Sequence, residues 1–175
     1  MFLDDEEWKA KFQNFQAEAW RLERLPEYRV PQETEEFARF LAGERPAVTY
    51  DDDWQRLIRS HTASGRAMGR VHIVTRPLSD YLRFAFQYYA YSVKAGEDVR
   101  VLDVTDRENP LPDFQDFWIF DHSTVVLMHF DAEGRPVSRE LYEGDPEPFR
   151  QAQRIAMAES VPLSEYLKGT ASETI

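Results

Sequence analysis

The chain has 175 residues, no cysteine, four histidines and a formal net charge of -11, with 42% hydrophobic and 14% aromatic residues. Such a length buries roughly 70% of the surface its unfolded form exposes, so no metal or other cofactor is needed for folding. The missing cysteines exclude disulfide frameworks, thiol nucleophiles and cysteine-ligated zinc, and the charge opposes direct binding to nucleic-acid phosphates while suiting a basic protein partner.

No apolar run reaches the roughly 20 residues of a membrane span. The opening MFLDDEEWKA lacks the basic and apolar regions of a secretory signal. The expectation is a cytoplasmic protein without a membrane partner.

Trp8, Phe12, Phe15, Ala19 and Leu22 recur at helical spacing, with Asp4 and Glu7 placed as a capping box, and Leu25-Pro26 ends the pattern. A second helix is expected from about Gln32 to Leu41. A third starts at the triplet Asp51-Asp52-Asp53, whose carboxylates suit a helix N-terminus better than a cation site, and it carries Trp54, Leu57, Ile58 and His61 on one side. These make a helical N-terminal part over about residues 1–65.

After Gly65 the pattern changes. Val71, Ile73 and Thr75 alternate with their neighbours as a strand, Pro77 opens a long helix over Leu78 to Ala95 with Gly96 as its stop, and Val99 to Val104 reads as a second strand. In one sheet this unit is parallel and right-handed. Three strands follow, about Phe117–Asp121, Thr124–Asp131 and Val137–Glu143, joined by connections short enough for antiparallel hairpins. A helix beginning after Pro146, a last turn at Leu163 to Leu167 and a mobile tail 169–175 complete the chain. The fold class is therefore α/β: a mixed sheet of about five strands, with one strand-helix-strand unit plus antiparallel hairpins, in a single domain 1–168.

The stretch DFQDFWIFDHSTVVLMHFD concentrates aromatics, acids and two histidines. Set as a hairpin with Phe120 opposite Thr124, it has two apolar faces, Trp118/Phe120/Val126/Met128 and Phe117/Ile119/Val125/Leu127, as strands covered on both sides do. Asp121 and His122 then sit at the turn, too far from His129 and Asp131 to share a metal. His129 and Asp131 point the same way and mark a polar pocket with Ser138 and Glu140. Arg66, Arg70, His72 and Arg76 form a basic stripe near the start of the Leu78 helix, where an anion can be held. The candidate ligand residues are thus Arg70, His72, Arg76, His129 and Asp131, no metal site is expected, and no nucleophile elbow or phosphate loop occurs.

On EYRVPQETEEFARFLAG, RVHIVTRPLSDYLRF, AGEDVRVLDV and DFWIFD the chain resembles an uncharacterised actinobacterial family, typically of streptomycetes, whose members lie near helix-turn-helix regulators. The resemblance covers most of the chain beyond about Arg21 and implies a regulatory context without transferring any active-site residue. The order of elements also looks like the catalytically silent, phospholipase-D-like sensor domains of some bacterial regulators. The reading that follows is a non-catalytic accessory protein that binds a partner such as a helix-turn-helix regulator, gated by a small anionic ligand, with the N-terminal stripe Trp8, Phe12 and Phe15 as candidate contact. The alternative is an enzyme acting on a phosphorylated or carboxylated small molecule at the Arg70/His72/Arg76 face, with His129 or Asp131 as acid-base group.

Overall fold

The computed structural model describes residues 1–44 and 52–171. Asp51 of the acidic triplet and residues 172–175 of the expected tail lie outside them. The elements run α1 (Asp5–Asn14), β1 (Glu18–Glu23), a 3-10 turn (Pro31–Glu33), α2 (Thr34–Leu41), α3 (Asp53–Ala63), β2 (Ala67–Val74), α4 (Asp80–Ala95) and β3 (Asp98–Asp103). They continue with β4 (Phe117–Phe120), β5 (Thr124–Phe130), β6 (Pro136–Leu141), α5 (Glu147–Glu159), β7 (Val161–Pro162) and α6 (Leu163–Ala171). The α/β class holds, but the mixed sheet has seven strands rather than about five, in the order β6-β5-β4-β1-β2-β3-β7.

The main correction is at the N-terminus. The expected capping box forms, since the Glu7 amide donates to Asp4 and the Asp4 amide to Glu7 at 2.8 and 2.9 Å. The helix nevertheless stops at Asn14, and Glu18–Glu23 is a strand at the middle of the sheet, parallel to β2 and antiparallel to β4. Ala19 and Leu22 fit helical spacing by coincidence. The local alternation Trp20-Arg21-Leu22-Glu23 is the period that wins, because Trp20 and Leu22 bury on one face of the sheet while Arg21 and Glu23 find partners on the other. At the other end, α6 carries helix through Ala171, so residues 169–171 are not part of a tail.

The strand-helix-strand unit is as expected. Ser79 caps α4 by accepting from the Leu82 amide at 3.1 Å, Gly96 ends it with φ +120°, and β2 and β3 pair in parallel. No side chain fits at Gly96, where a Cβ would stand 2.5 Å from the Thr62 hydroxyl oxygen on α3. The β4–β5 hairpin has Phe120 opposite Thr124, with Asp121 and His122 both at positive φ in the turn. The Asp121 carboxylate accepts from the amides of Gln16, Ala17 and Glu18, which ties the turn to the start of β1. Asp121 therefore has a structural role, and among the described residues no group of three or more histidines and acids could hold a metal ion.

Each face of the sheet carries its own core. On one face Trp20, Leu22, Val71, Leu102, Phe117 and Ile119 pack under α5 through Phe149, Ala152 and Ala156. On the other, α1 and α3 bring Phe12, Phe15 and Ile58 onto Ala19, Met68, Trp118 and Phe120, while α4 and α6 cover Val99 and Val101. Phe12 and Phe15 are thus core residues, which removes them as an exposed partner contact. Trp8 is only partly buried but packs edge-on to Phe12 and Trp118, at 4.8 and 6.0 Å between ring centroids.

Trp118 is 5% exposed and stands 4.9 Å from the Phe12 ring and 5.7 Å from the Phe120 ring it stacks on. Trp118→Ala is expected to destabilise the fold by about 3–5 kcal/mol, measured by urea denaturation. A change near zero would contradict the packing described.

Candidate functional site

Parallel pairing of β1 with β2 sets Arg21 beside Arg70 and Glu23 beside His72, all on the face covered by α1, α3 and α4. A buried cation must be matched, and Arg70 is: its Nε and one terminal nitrogen donate to the two Glu97 oxygens at 2.8 and 3.0 Å, and the other donates to Glu23 at 3.1 Å. Its guanidinium also lies 4.1 Å from the Tyr89 ring centre. Arg70 and Glu97 are each 4% exposed. Glu97 follows Gly96, so the left-handed helix stop that ends α4 also delivers the carboxylate.

Burial alone would raise the pKa of Glu23, but Arg21, then Arg70, then His72 and the Tyr89 hydroxyl hold it down at about 2. It is a permanent anion at the cavity floor. His72 is fully buried, and its pKa is lowered by that burial despite the Glu23 charge. Its Nε2 donates to the Leu25 carbonyl at 3.0 Å, so in the neutral ring Nδ1 accepts from the Tyr89 hydroxyl at 3.2 Å. Tyr89 stands equally far, 3.2 Å, from Glu23, so its one proton is divided between the two.

A second polar group forms at the edge of the same face. Tyr28 donates to Asp116, whose other oxygen accepts from the Arg24 amide at 3.0 Å. Burial, only partly offset by the Tyr28 hydrogen bond, pushes the Asp116 carboxyl up to about 7. Burial likewise raises Glu33, which accepts from the Tyr81 hydroxyl at 2.7 Å.

Glu23, Arg70, Tyr89, Tyr28, Asp116, Glu33 and Tyr81 line one cavity of about 990 Å³ between the sheet and the helices. Arg21, Glu23, Arg70, Trp118 and Met128 contribute from the strands, Tyr81, Phe84, Tyr89 and Ser92 from α4, Trp54 and Gln55 from α3, Trp8 and Phe12 from α1, Tyr28 to Glu33 from the connection into α2, and Glu36 from α2 itself. The volume is at the upper end of the range for small-molecule sites. Arg21 is held by rings rather than hydrogen bonds: its guanidinium carbon lies 4.7 Å from the Trp118 ring centre and 5.2 Å from that of Trp54. Glu23 and Glu97 come no nearer than 3.7 and 3.9 Å. Arg21 Nε and Gln55 Oε1 are buried without a hydrogen-bond partner.

The five ligand residues expected from the sequence do not form one site. Arg70 and His72 are in or beneath the cavity floor with their partners already made, so the anion-holding stripe is closed by internal pairing. Arg76 is at the far end of β2, where it donates to Asp103 at 2.8 Å and Asp106 at 3.2 Å. The α4 N-terminus beside it is capped by Ser79. His129 is on the opposite sheet face, 2.8 Å from Glu140 as the pairing of β5 with β6 suggested. A bulge after His129 turns Asp131 away to accept from the Glu133 and Arg135 amides, both at 2.9 Å. Of the acid-base partners expected for an enzyme, His129 is therefore on the other side of the sheet from Arg70, and Asp131 is held in the turn between β5 and β6. Missed at the sequence level were Arg21, Glu23, Gln55, Tyr89, Glu97 and Asp116. The one available signal was the pair of charges interrupting the apolar alternation Trp20-Leu22.

Two measurements test these networks. Arg70→Met leaves Glu97 and Glu23 buried without their cation and is expected to cost about 3–5 kcal/mol of stability, read by denaturant titration. Asp116 binds its proton more tightly folded than unfolded, where its ordinary value is 3.8. Its contribution to stability is therefore complete below about pH 4 and is lost as the pH rises towards 7, by about 4 kcal/mol in all. Asp116→Asn should remove this loss, flattening the stability profile between those limits. An unchanged slope would place the titration elsewhere.

Over residues 6–168 the chain matches the family described as Domain of unknown function (DUF6879), and it belongs to that family. No curated protein matches it significantly.

Proposed function

We propose that this DUF6879 chain is a non-catalytic receptor module. A small organic molecule occupies the cavity, and a basic protein partner reads whether it is filled. The observation that carries the reading is the cavity itself: about 990 Å³, aromatic-walled, with a polar floor in which Arg70 is spent on internal pairing. Such a floor is rigid and specific but offers no free nucleophile. The residues that the enzyme reading relied on are dispersed, and Asp116, which shares the cavity with Arg21, has its oxygens engaged by Tyr28 and the Arg24 amide.

The partner part of the proposal is supported by the charge of -11, which attracts a basic surface and repels duplex DNA. It draws also on the resemblance to actinobacterial proteins that lie near helix-turn-helix regulators, whose DNA-binding surface is basic, and it places the protein in the cytoplasm with them. The N-terminal aromatic stripe is no longer the contact, since Phe12 and Phe15 are core residues. No helix among the described residues is long and apolar enough to cross a membrane.

The test has two arms. A broad library of small organic molecules, screened by thermal shift, is expected to yield compounds that stabilise the wild type and protect Trp118 and Trp54 from a fluorescence quencher. Complete failure to find one would undo the receptor reading. Co-purification from the native host with a helix-turn-helix regulator, then titration at two salt concentrations, should give a complex that weakens as salt rises. Tight, salt-sensitive binding of the isolated protein to duplex DNA would contradict the partner assignment.

A further inference from the structure

The rings of the cavity already hold side-chain cations. The Arg21 guanidinium stands against Trp54 and Trp118, that of Arg70 is 4.1 Å from the Tyr89 ring centre, and that of Arg139 is 5.4 Å from the Trp8 ring centre. Tyr28, Tyr81 and Phe84 also line the cavity. The Tyr81 ring is 6.0 Å from each of the other two between centroids, and among the described residues no side-chain cation lies over any of the three.

Beside these rings is an acid without a counter-charge. The Tyr81 hydroxyl donates to Glu33 Oε2 at 2.7 Å. Glu33 Oε1 accepts nothing, yet unlike Arg21 Nε and Gln55 Oε1 it is not sealed from solvent. One turn further on, Glu36 accepts from the Tyr88 hydroxyl at 3.0 Å, and the Tyr88 ring stands 4.8 Å from that of Phe84. The acids at the start of α2 and the aromatics of α4 therefore make one wall of the cavity.

The other charges around the cavity are matched. Arg70 pairs with Glu97 and Glu23, and Arg21 has the same two acids at 3.9 and 3.7 Å. Arg29 meets Glu27 and Glu133, Arg135 meets Glu133 and Asp131, and Arg139 meets Asp5. Among the lining acids, Glu23 is taken up by its arginines and Glu36 has Arg39 at 3.7 Å. Asp52 caps α3, and both oxygens of Asp116 are engaged by Tyr28 and the Arg24 amide. The Arg24 guanidinium is turned to the carbonyls of Leu111, Pro112 and Phe114. Glu33 alone of these acids combines an open, unused oxygen with the absence of an ion-pair partner among the described residues. Burial raises its pKa, the Tyr81 hydrogen bond offsets part of this, the Glu23 charge adds to it, and Arg21 and Arg70 act in the opposite sense. A cation placed there would match the carboxylate, whereas an anion would add to the unmatched charge.

We infer that the cavity binds a small organic amine in its ammonium form, with an N–H donating to Glu33 Oε1 beside the Tyr28, Tyr81 and Phe84 rings and an apolar body against the aromatic walls. This rests on the receptor reading and narrows it, replacing the anionic ligand suggested by the arginine stripe. The net charge of -11 draws such a ligand in.

The probes are 4-phenylbutylamine, 4-phenylbutan-1-ol and 4-phenylbutanoate, which share a body and differ in charge. Binding to the full chain is followed by calorimetry and ligand-observed saturation-transfer NMR at about pH 8, where an alkylamine is still protonated. The amine is expected to bind saturably and at least about tenfold more tightly than the alcohol, with the carboxylate weakest. Glu33→Gln, which keeps an acceptor for Tyr81, should weaken the amine about tenfold and leave the alcohol unchanged. Glu35→Gln removes the same charge from an exposed neighbour whose side chain is 79% accessible, and should leave both unchanged. Amine binding no tighter than the alcohol, tighter binding of the carboxylate, indifference to Glu33→Gln, an equal loss in Glu35→Gln, or no amine binding at all would overturn the inference. In each case the broad thermal-shift screen decides the receptor reading separately.

Discussion

Everything on the helical side of the sheet depends on the pairing of Arg70 with Glu97 and Glu23. Arg21 and Glu23 on β1 and Arg70 on the adjacent β2 cannot be buried under helices unless their partners arrive in register. Parallel pairing aligns Arg21 with Arg70, and the stop of α4 at Gly96 places Glu97 against both. A shift of one residue in β1 would turn Arg21 and Glu23 into the apolar core under α5 and expose Trp20 and Leu22 to the charged face. The ion pairs thus act as a register lock for the middle of the sheet, and α4 is held to it by Tyr89, whose ring covers Arg70 and whose hydroxyl joins His72 to Glu23.

The same lock explains why there is a cavity. Charged side chains standing up from the sheet keep the helices from settling onto it as α5 does on the other face, where Ala152 and Ala156 pack directly on the strands. Aromatic side chains from α1, α3, α4 and the segment after β1 fill part of the resulting space, in edge-to-face contacts such as Trp54 on Trp118 and Tyr28 on Phe130. What they do not fill is the cavity.

Much of the fold was legible because its signals are local. The capping box at Asp4, the start and stop of α4 at Ser79 and Gly96, and the hairpin register at Phe120 and Thr124 each depend on residues within about twenty positions. The first strand was not legible, since Phe15, Ala19 and Leu22 continue the helical spacing of α1 and only the sheet decides between the two periods. The site was still less so. Arg70 and Glu97 are 27 residues apart, Arg70 and Glu23 47 apart, and Tyr28 and Asp116 88 apart, so no window of sequence contains a pair. Of the basic stripe, Arg70 and His72 share one face of β2 while Arg66 and Arg76 lie outside that strand, and acids from other elements meet Arg70 there.

Unpaired polar atoms are not in themselves a site, and this chain contains the comparison that shows why. Trp20 Nε1 is also buried without a partner, yet it lies in the apolar core under α5, close enough to β2 that a Cβ at Gly69 would stand 3.1 Å from its ring. No ligand fits there, and the lost hydrogen bond is a cost of packing a large ring beside a glycine. Arg21 Nε and Gln55 Oε1 are as closed to solvent as Trp20 Nε1, although their residues line the cavity, and Arg21 Nε has the Glu23 carboxylate at 3.7 Å. Packing accounts for the first atom. For Arg21 the Trp54 and Trp118 rings and the carboxylates of Glu23 and Glu97 stand where hydrogen bonds would otherwise be made.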